Sequence, residues 1–272
     1  MLATDFRYDG QYLSDYHLII VEFDAPSNFT EAQVGANITF NKVSRAGGKK
    51  FSISSTTYDE ALTTKFDICK DDTYFNRGEM TFTDDEFRDI ARWLIQPEYH
   101  EFCFIQDDDF GDIRYFNASF NIEKIMLNSQ IVGIRVSMET DRPYAFGEKE
   151  EQTLTFAAAN ASASMTCFSD LVGYVPIKMV VTCNESANFQ IKNSTTNKTM
   201  LLKNCVSTEV ITIDGENQLI STDKSATHDI CDDFNYEFLT LQNSLTSRTN
   251  TFTADHKCTL KITYRPIVLS FY

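Results

Sequence analysis

The sequence predicts a mainly β protein of two domains: an N-terminal domain of strands closed by one amphipathic helix, and a C-terminal domain built as an antiparallel sandwich. Three observations predict this. Short alternations of apolar and polar residues recur along the whole chain, the period of strands buried on one face. Only one stretch, Thr83 to Tyr99 (TDDEFRDIARWLIQPEY), has helical periodicity. Finally, 272 residues suffice for two cores, and 22 Phe with 12 Tyr favour strands.

The N-terminal strands come first. Phe6-Arg7-Tyr8 runs into Asp9-Gly10, a turn dipeptide. Asp15 to Asp24 is a long β-rich run, apolar on both faces at its centre, as in a covered sheet. Asn37 to Val43 alternates through Ile38 and Phe40. Gly47-Gly48-Lys49-Lys50 is a basic loop, and Phe51 and Ile53 begin a strand reaching Tyr58. Leu62 to Cys69 adds another, with Phe66 and Ile68 on one face.

The helix is expected over residues 84–95. Thr83 caps it and Glu86 completes a capping box three residues on. Asp84 and Asp85 put negative charge where the macrodipole favours it. Phe87, Ile90, Ala91 and Leu94 form one apolar face, with Trp93, the single tryptophan, close to it. Pro97 stops the helix. A lone amphipathic helix among strands has to lay its stripe on a sheet.

Strands resume at Glu101 to Ile105, turn through Asp107-Asp108-Asp109-Phe110-Gly111-Asp112, and return through Phe116, Ala118, Phe120 and Ile122. Val132, Ile134, Val136 and Met138 alternate next. The charged run Glu148-Lys149-Glu150-Glu151 is the candidate boundary, dividing 1–148 from 149–272. Beyond it, Ile177, Met179, Val181 and Cys183 alternate. Phe189 to Asn193 turns back into Met200-Leu201-Leu202. Val210 to Ile213 meets Asp214-Gly215, and Leu219-Ile220 begins the return. Asn235 to Leu239 reads as a further strand, and Leu260, Ile262 and Tyr264 close the series. Strands at short, even spacing without helices indicate an antiparallel sandwich.

The formal net charge of −15 argues against a nucleic-acid reader that works by neutralising phosphates, and against docking on an anionic membrane. It suits a surface past which DNA slides without sticking. No stretch approaches the roughly 20 apolar residues of a membrane span, and the first residues lack the features of a signal peptide. Seven scattered cysteines with no CxxC indicate buried free thiols in a reducing compartment, with one or two disulfides in the C-terminal half left open.

No residue presents itself as catalytic, cofactor-binding or metal-ligating. Asp107 to Asp112 lacks the spacing and late Glu of a calcium loop and reads as a solvated hairpin tip. Asp229 to Asp233 reads as a polar loop. His17, His100, His228 and His256 include no pair at zinc-site spacing; His228 and Cys231 lie three apart without a second ligand pair. There is no GxSxG elbow, GxGxxG or Walker loop. Asn-x-Ser/Thr triplets, such as those at Asn160 and Asn193, follow from an Asn- and Thr-rich composition. Trp93 and Tyr99 read first as core aromatics, with a ring interface as the other use for them.

The order of features resembles the distal tail protein (Dit) family of long-tailed phages and prophages. The resemblance rests on FRYDGQYLSDYHLIIVEFD, the lone helix TDDEFRDIARWLIQPEYHEF and IVGIRVSMETDRPYAFG. In the second half it rests on LLKNCVSTEVITIDGENQLIST, FNYEFLTLQNSLTSRTNTFT and CTLKITYRP. It implies an N-terminal β-sandwich with a helix (1–148) that forms a hexameric ring, and a C-terminal galectin-like β-sandwich (149–272). The ring would join the tail tube to the central hub or fibre and hold receptor-binding proteins. DNA would pass without specific binding, no reaction would be catalysed, and no cofactor or membrane would be involved. Such a protein is assembled in the bacterial host cytoplasm and works in host attachment at the virion tail tip. The competing reading is a carbohydrate- or receptor-binding tail protein with a lectin-like sandwich.

Overall fold

The computed structural model describes residues 3–21, 38–44, 51–58, 61–106 and 113–269. The chain divides into two compact units, Met1–Gly147 with Val268–Tyr272, and Glu148–Ile267.

The first unit opens on a hairpin. Ala3–Tyr8 (β1) and Gln11–Tyr12 (β2) are joined by Asp9-Gly10, with φ of 48° and 78°. Two successive left-handed residues make a type I′ turn, whose twist matches that of its strands. The long strand expected from Asp15 starts later. Leu13–Tyr16 is a 3-10 turn, His17 ends it at φ 55°, and Leu18–Val21 (β3) follows. Local side chains explain the difference. Asp15 accepts the Tyr12 N–H at 3.0 Å, and Asp5 Oδ1 accepts the Ser14 N–H at 3.1 Å. These bonds offer the backbone an alternative to the ladder.

Ile38–Ser44 (β4) and Phe51–Tyr58 (β5) come next, then Thr63–Lys70 (β6) and the helix Asp84–Leu94 (α1). His100–Gln106 (β7), Tyr115–Leu127 (β8), Gln130–Thr140 (β9) and Ala145–Phe146 (β10) complete the run. The main sheet has the order β2-β1-β7-β8-β9-β6-β3, with antiparallel neighbours throughout. The long β8–β9 hairpin turns at Asn128-Ser129, φ 48° and 66°, a second type I′ turn.

This sheet is folded over on itself. Flat, β1 and β6 would lie roughly 19 Å apart, four strand spacings. Yet the Phe6 and Phe66 rings meet at 5.6 Å, and Phe6 and Phe120 at 6.3 Å. The inward alternation Phe116, Ala118, Phe120 on β8 and Ile134, Val136, Met138 on β9 fills the space between.

The helix closes that space. Thr83 Oγ accepts the Glu86 N–H, and Glu86 Oε2 accepts the Thr83 N–H at 2.7 Å, so the capping box forms. The helix ends at Leu94, one residue short of the expected Ile95, which is already extended. Gln96 Nε2 donates to the carbonyls of Arg92 and Trp93, satisfying two acceptors of the last turn. Ile90, Trp93 and Leu94 are buried. Trp93 is the keystone: it stacks on Phe6 at 5.5 Å and on Tyr16 at 4.7 Å, and its Nε1–H donates to Tyr8 O at 3.2 Å. The helix N-terminus is held by buried Lys70, whose Nζ donates to Glu86 Oε1 at 2.7 Å and to Glu79 O, and lies 4.6 Å from the Phe75 ring centroid.

The second unit contains Glu150–Phe156 (β11), Ala161–Thr166 (β12), Gly173–Pro176 (β13), Lys178–Cys183 (β14), Ala187–Asn193 (β15) and Lys198–Cys205 (β16). Val210–Asp214 (β17), Leu219–Thr222 (β18), Thr240–Asn243 (β19), Thr249–Ala254 (β20) and Cys258–Tyr264 (β21) follow. The short Ile267–Val268 (β22) pairs with β10. A five-stranded sheet β11-β21-β14-β17-β18 faces a four-stranded sheet β12-β20-β15-β16, and β13 pairs with β19 as a ribbon. One core joins the sheets: Phe156, Val181, Ile211 and Leu260 from the first, Phe189, Ile191, Met200 and Phe252 from the second. That is a sandwich.

Two details differ from the sequence expectation. β11 begins at Glu150, inside the charged run, because Leu154 and Phe156 further along are buried. Asn235 to Leu239 is not a strand. Phe234 makes a single bridge to Leu202, Tyr236 is left-handed at φ 55°, and the Asn235 side chain bonds Leu201 N and Thr199 O in place of a ladder. The Asp214-Gly215 signal does mark a hairpin, with residues 215–218 as its loop. Asp214 Oδ1 accepts the N–H groups of Glu216 and Asn217. Gly215 donates its N–H to Ile177 O, and a Cβ there would stand 2.8 Å from that oxygen, so only glycine fits.

Candidate assembly surfaces

The β4–β5 ribbon is the first candidate. Its strands pair with each other and, among the described residues, with no other strand. Thr39–Ser44 and Ser52–Ser55 are exposed, so both faces meet solvent. Phe40, Val43 and Ile53 lie on it at 49%, 52% and 59% exposure. A two-stranded ribbon by itself is marginal in water, so exposed apolar residues on it favour a covering partner. Such an element, with exposed apolar residues, is suited to be completed by another chain.

In the second unit Phe168, Val172, Tyr174 and Leu245 are exposed. They lie around the β13–β19 ribbon, where Asn243 Nδ2 donates to the carbonyls of Ser169 and Leu171.

The same unit holds a buried ionic knot. His228 Nδ1 lies 2.6 Å from Glu209 Oε1, and Nε2 lies 3.1 Å from Asp233 Oδ2. Glu209 is fully buried, also accepting the Val206 N–H and the Thr222 hydroxyl. Carboxylates at both ring nitrogens favour the imidazolium. Burial pulls the His228 pKa down, but the hydrogen bond and charge of Glu209, then Asp233, outweigh it and raise the value. Glu209 is penalised by burial, yet its bonds to Thr222, Val206 and His228 hold its pKa below the usual range.

The histidine–cysteine spacing is thereby resolved: His228 faces carboxylates, while Cys231 is exposed. In the Asp229–Asp233 loop, Asp229 accepts the Cys231 N–H and Asp233 accepts from Asn204 Nδ2 and faces His228. His17 stacks on Tyr74 at 4.4 Å, His100 Nδ1 is 3.2 Å from Asp9, and His256 Nδ1 is 3.1 Å from Glu185. Among the described residues no three His, Cys, Asp or Glu side chains gather as metal ligands. Asp107 to Asp112 and the Gly47-Gly48-Lys49-Lys50 loop lie outside the described residues. Trp93 is core, whereas Tyr99 is exposed. The Glu209 contact escaped sequence reasoning because nineteen residues separate it from His228.

Two strand-built units, one core in each, define a protein of the mainly β class. A family model described as the phage tail protein N-terminal domain matches residues 1–142, and one described as the phage tail C-terminal domain matches residues 144–264. The chain belongs to this family of phage tail proteins. No curated protein matches it. Among solved structures, the Dit protein of phage SPP1, described as a paradigm of the hub adsorption apparatus of phages infecting Gram-positive hosts, aligns with a TM-score of 0.62 at 14% identity. That alignment covers 96% of this chain and 98% of SPP1 Dit, and at such identity it establishes the fold. A chain of the phage P2 baseplate, in its activated conformation with Ca, aligns at TM-score 0.49 and 7% identity over 97% of this chain and 98% of its own.

Proposed function

We propose that this protein is the ring-forming adaptor at the distal end of a phage tail, joining the tail tube to the central hub or fibre and holding receptor-binding proteins. The observation that carries this reading is the likeness in fold to SPP1 Dit, which runs end to end through both units. Residues 1–148 build the ring, a hexamer by resemblance, and 149–272 form a galectin-like sandwich projecting from it. A closed ring requires each subunit to offer two different, complementary surfaces. The β4–β5 ribbon supplies one: its exposed Phe40, Val43 and Ile53 are buried when a second copy covers them. Residues 1–147 hold 25 of the 39 acidic and 14 of the 24 basic residues, a negative balance that lets DNA pass without adhering. Assembly takes place in the host cytoplasm, and the ring works at the virion tail tip without catalysing a reaction.

The test is assembly. The full chain, alone at high concentration and co-expressed with the neighbouring tube and hub proteins, is sized by light scattering and imaged in negative stain. Closed rings are expected. A monomer that stays monomeric even in the presence of tube and hub proteins overturns the reading.

A further inference from the structure

In the second unit, one edge of the four-stranded sheet is covered by a segment that is not a strand. β16 ends that sheet, with β15 on its inner side. Met200 and Leu202 belong to the core, while Thr199, Leu201 and Lys203 carry the outward backbone groups. Residues 233–235 take four of those groups. Lys203 N–H donates to Asp233 O at 3.0 Å, and Asn235 N–H donates to Leu201 O at 3.3 Å. The Asn235 side chain takes the other two: its Oδ1 accepts the Leu201 N–H and its Nδ2 donates to Thr199 O, both at 3.0 Å. Two anchors hold the segment down. Phe234 is buried. The Asp233 carboxylate lies 3.1 Å from His228 Nε2 and accepts from Asn204 Nδ2 at 3.0 and 2.9 Å. Tyr236, left-handed at φ 55°, breaks the extended run after Asn235, so the cover is not itself a strand that another could join.

We propose that residues 233–235 are an autoinhibitory strap, occupying the β16 edge and keeping it from pairing with β16 of a second copy of this chain. An uncovered edge of eight residues is a template for pairing. A second β16 meets the same four groups that the strap now satisfies. Set antiparallel about Leu201, two copies exchange Leu201 N–H and C=O, and each Lys203 N–H finds the Thr199 carbonyl of the other. Lys203 then stands opposite Thr199, and Lys198 opposite Asn204, so no like charges meet across the pair. The Asp233–His228 contact is the latch. Glu209 keeps His228 paired when Asp233 is removed, so Asp233→Ala loosens the strap without stranding the buried carboxylate.

The experiment uses the full chain carrying Ile53→Asp as the parent, so that assembly through the β4–β5 ribbon is kept out of the sizing. Amide hydrogen exchange is read at Leu201 and Lys203, and mass in solution is read by light scattering at rising concentration. Both amides are expected to be protected in the parent. Adding Asp233→Ala with Asn235→Ala should speed their exchange roughly tenfold or more in dilute solution. At higher concentration that variant should reach twice the parent's mass, with protection restored. Asn235→Ala alone, at an exposed position, should free the Leu201 amide and leave Lys203 protected. Unprotected amides in the parent, unchanged protection in the double variant, or freed amides in a protein that keeps the parent's mass overturns the proposal. The parent and the exposed single variant give their answer whether or not the double variant folds.

Discussion

The hydroxyl of Tyr8 is buried in the first core without a hydrogen-bond partner, and its ring packs edge-on against His100 and Phe120. Burial pushes its phenol up to about 12, so it stays neutral. An unsatisfied buried hydroxyl costs about 1–3 kcal/mol. Tyr8→Phe is therefore expected to leave stability unchanged or raise it by about 1 kcal/mol, measured by urea unfolding; a clear loss would reveal an unseen partner. His228 behaves oppositely. Its folded pKa is raised above 6.5, so its stabilisation is complete below pH 6.5 and is lost as pH rises through the folded value. Glu209 has a folded pKa below 4.5, so its share is present above pH 4.5 and is lost as pH falls through that lower value. Unfolding followed across pH should show the second unit most stable between these limits, and His228→Ala should remove the loss on the alkaline side. That variant strands a buried carboxylate and should cost about 3–5 kcal/mol. None of this is visible in the spacing of His228 and Cys231, because the sandwich, not the local chain, brings Glu209 to the ring.

At the scale of elements, the helix was legible to within one residue. Its cap, acidic first turn and apolar stripe are local signals, and its end follows from Pro97 nearby. Trp93 was placed near the stripe, and the structure makes it the main contact. Thr83→Ala should cost about 1 kcal/mol and Trp93→Ala about 3–5 kcal/mol in unfolding free energy. A smaller loss for Trp93 than for Thr83 would show that the helix does not close the core. Strands with strict alternation, such as those through Phe120 and Val136, were equally legible. Among those that went unread, β12 and β20 are rich in Ala, Ser, Thr and Asn, and β13 and β19 span only four residues. Their burial comes from the partners they pair with. The run from Asp15 and the segment at Asn235 failed for the converse reason: β-prone residues gave way to side chains that bond nearby backbone.

At the scale of the molecule, the role proposed for the β4–β5 ribbon lets folding and assembly be tested apart. Phe40→Asp and Ile53→Asp alter exposed positions, so each should change unfolding free energy by no more than about 0.5 kcal/mol. Both should abolish rings in negative stain, because a charge set in an apolar contact loses its water. Variants that still form rings would place the interface elsewhere. Rings of so acidic a chain should also close more readily as salt screens repulsion between subunits, which light scattering across ionic strength can follow.

By itself the sequence determined the mainly β class, the helix from its first residue to within one of its last, and the inward faces of the strongly alternating strands. These depend on residues within one or two turns or strand lengths of each other, where chain geometry dictates the neighbours. Tertiary structure alone decided that the first sheet folds over to bring Phe6 against Phe66, that Glu209 and Asp233 bracket His228, and that Cys183 stands opposite Cys258. Those contacts join residues remote in sequence, and only the pairing order of strands, set by burial of the whole core, brings them together.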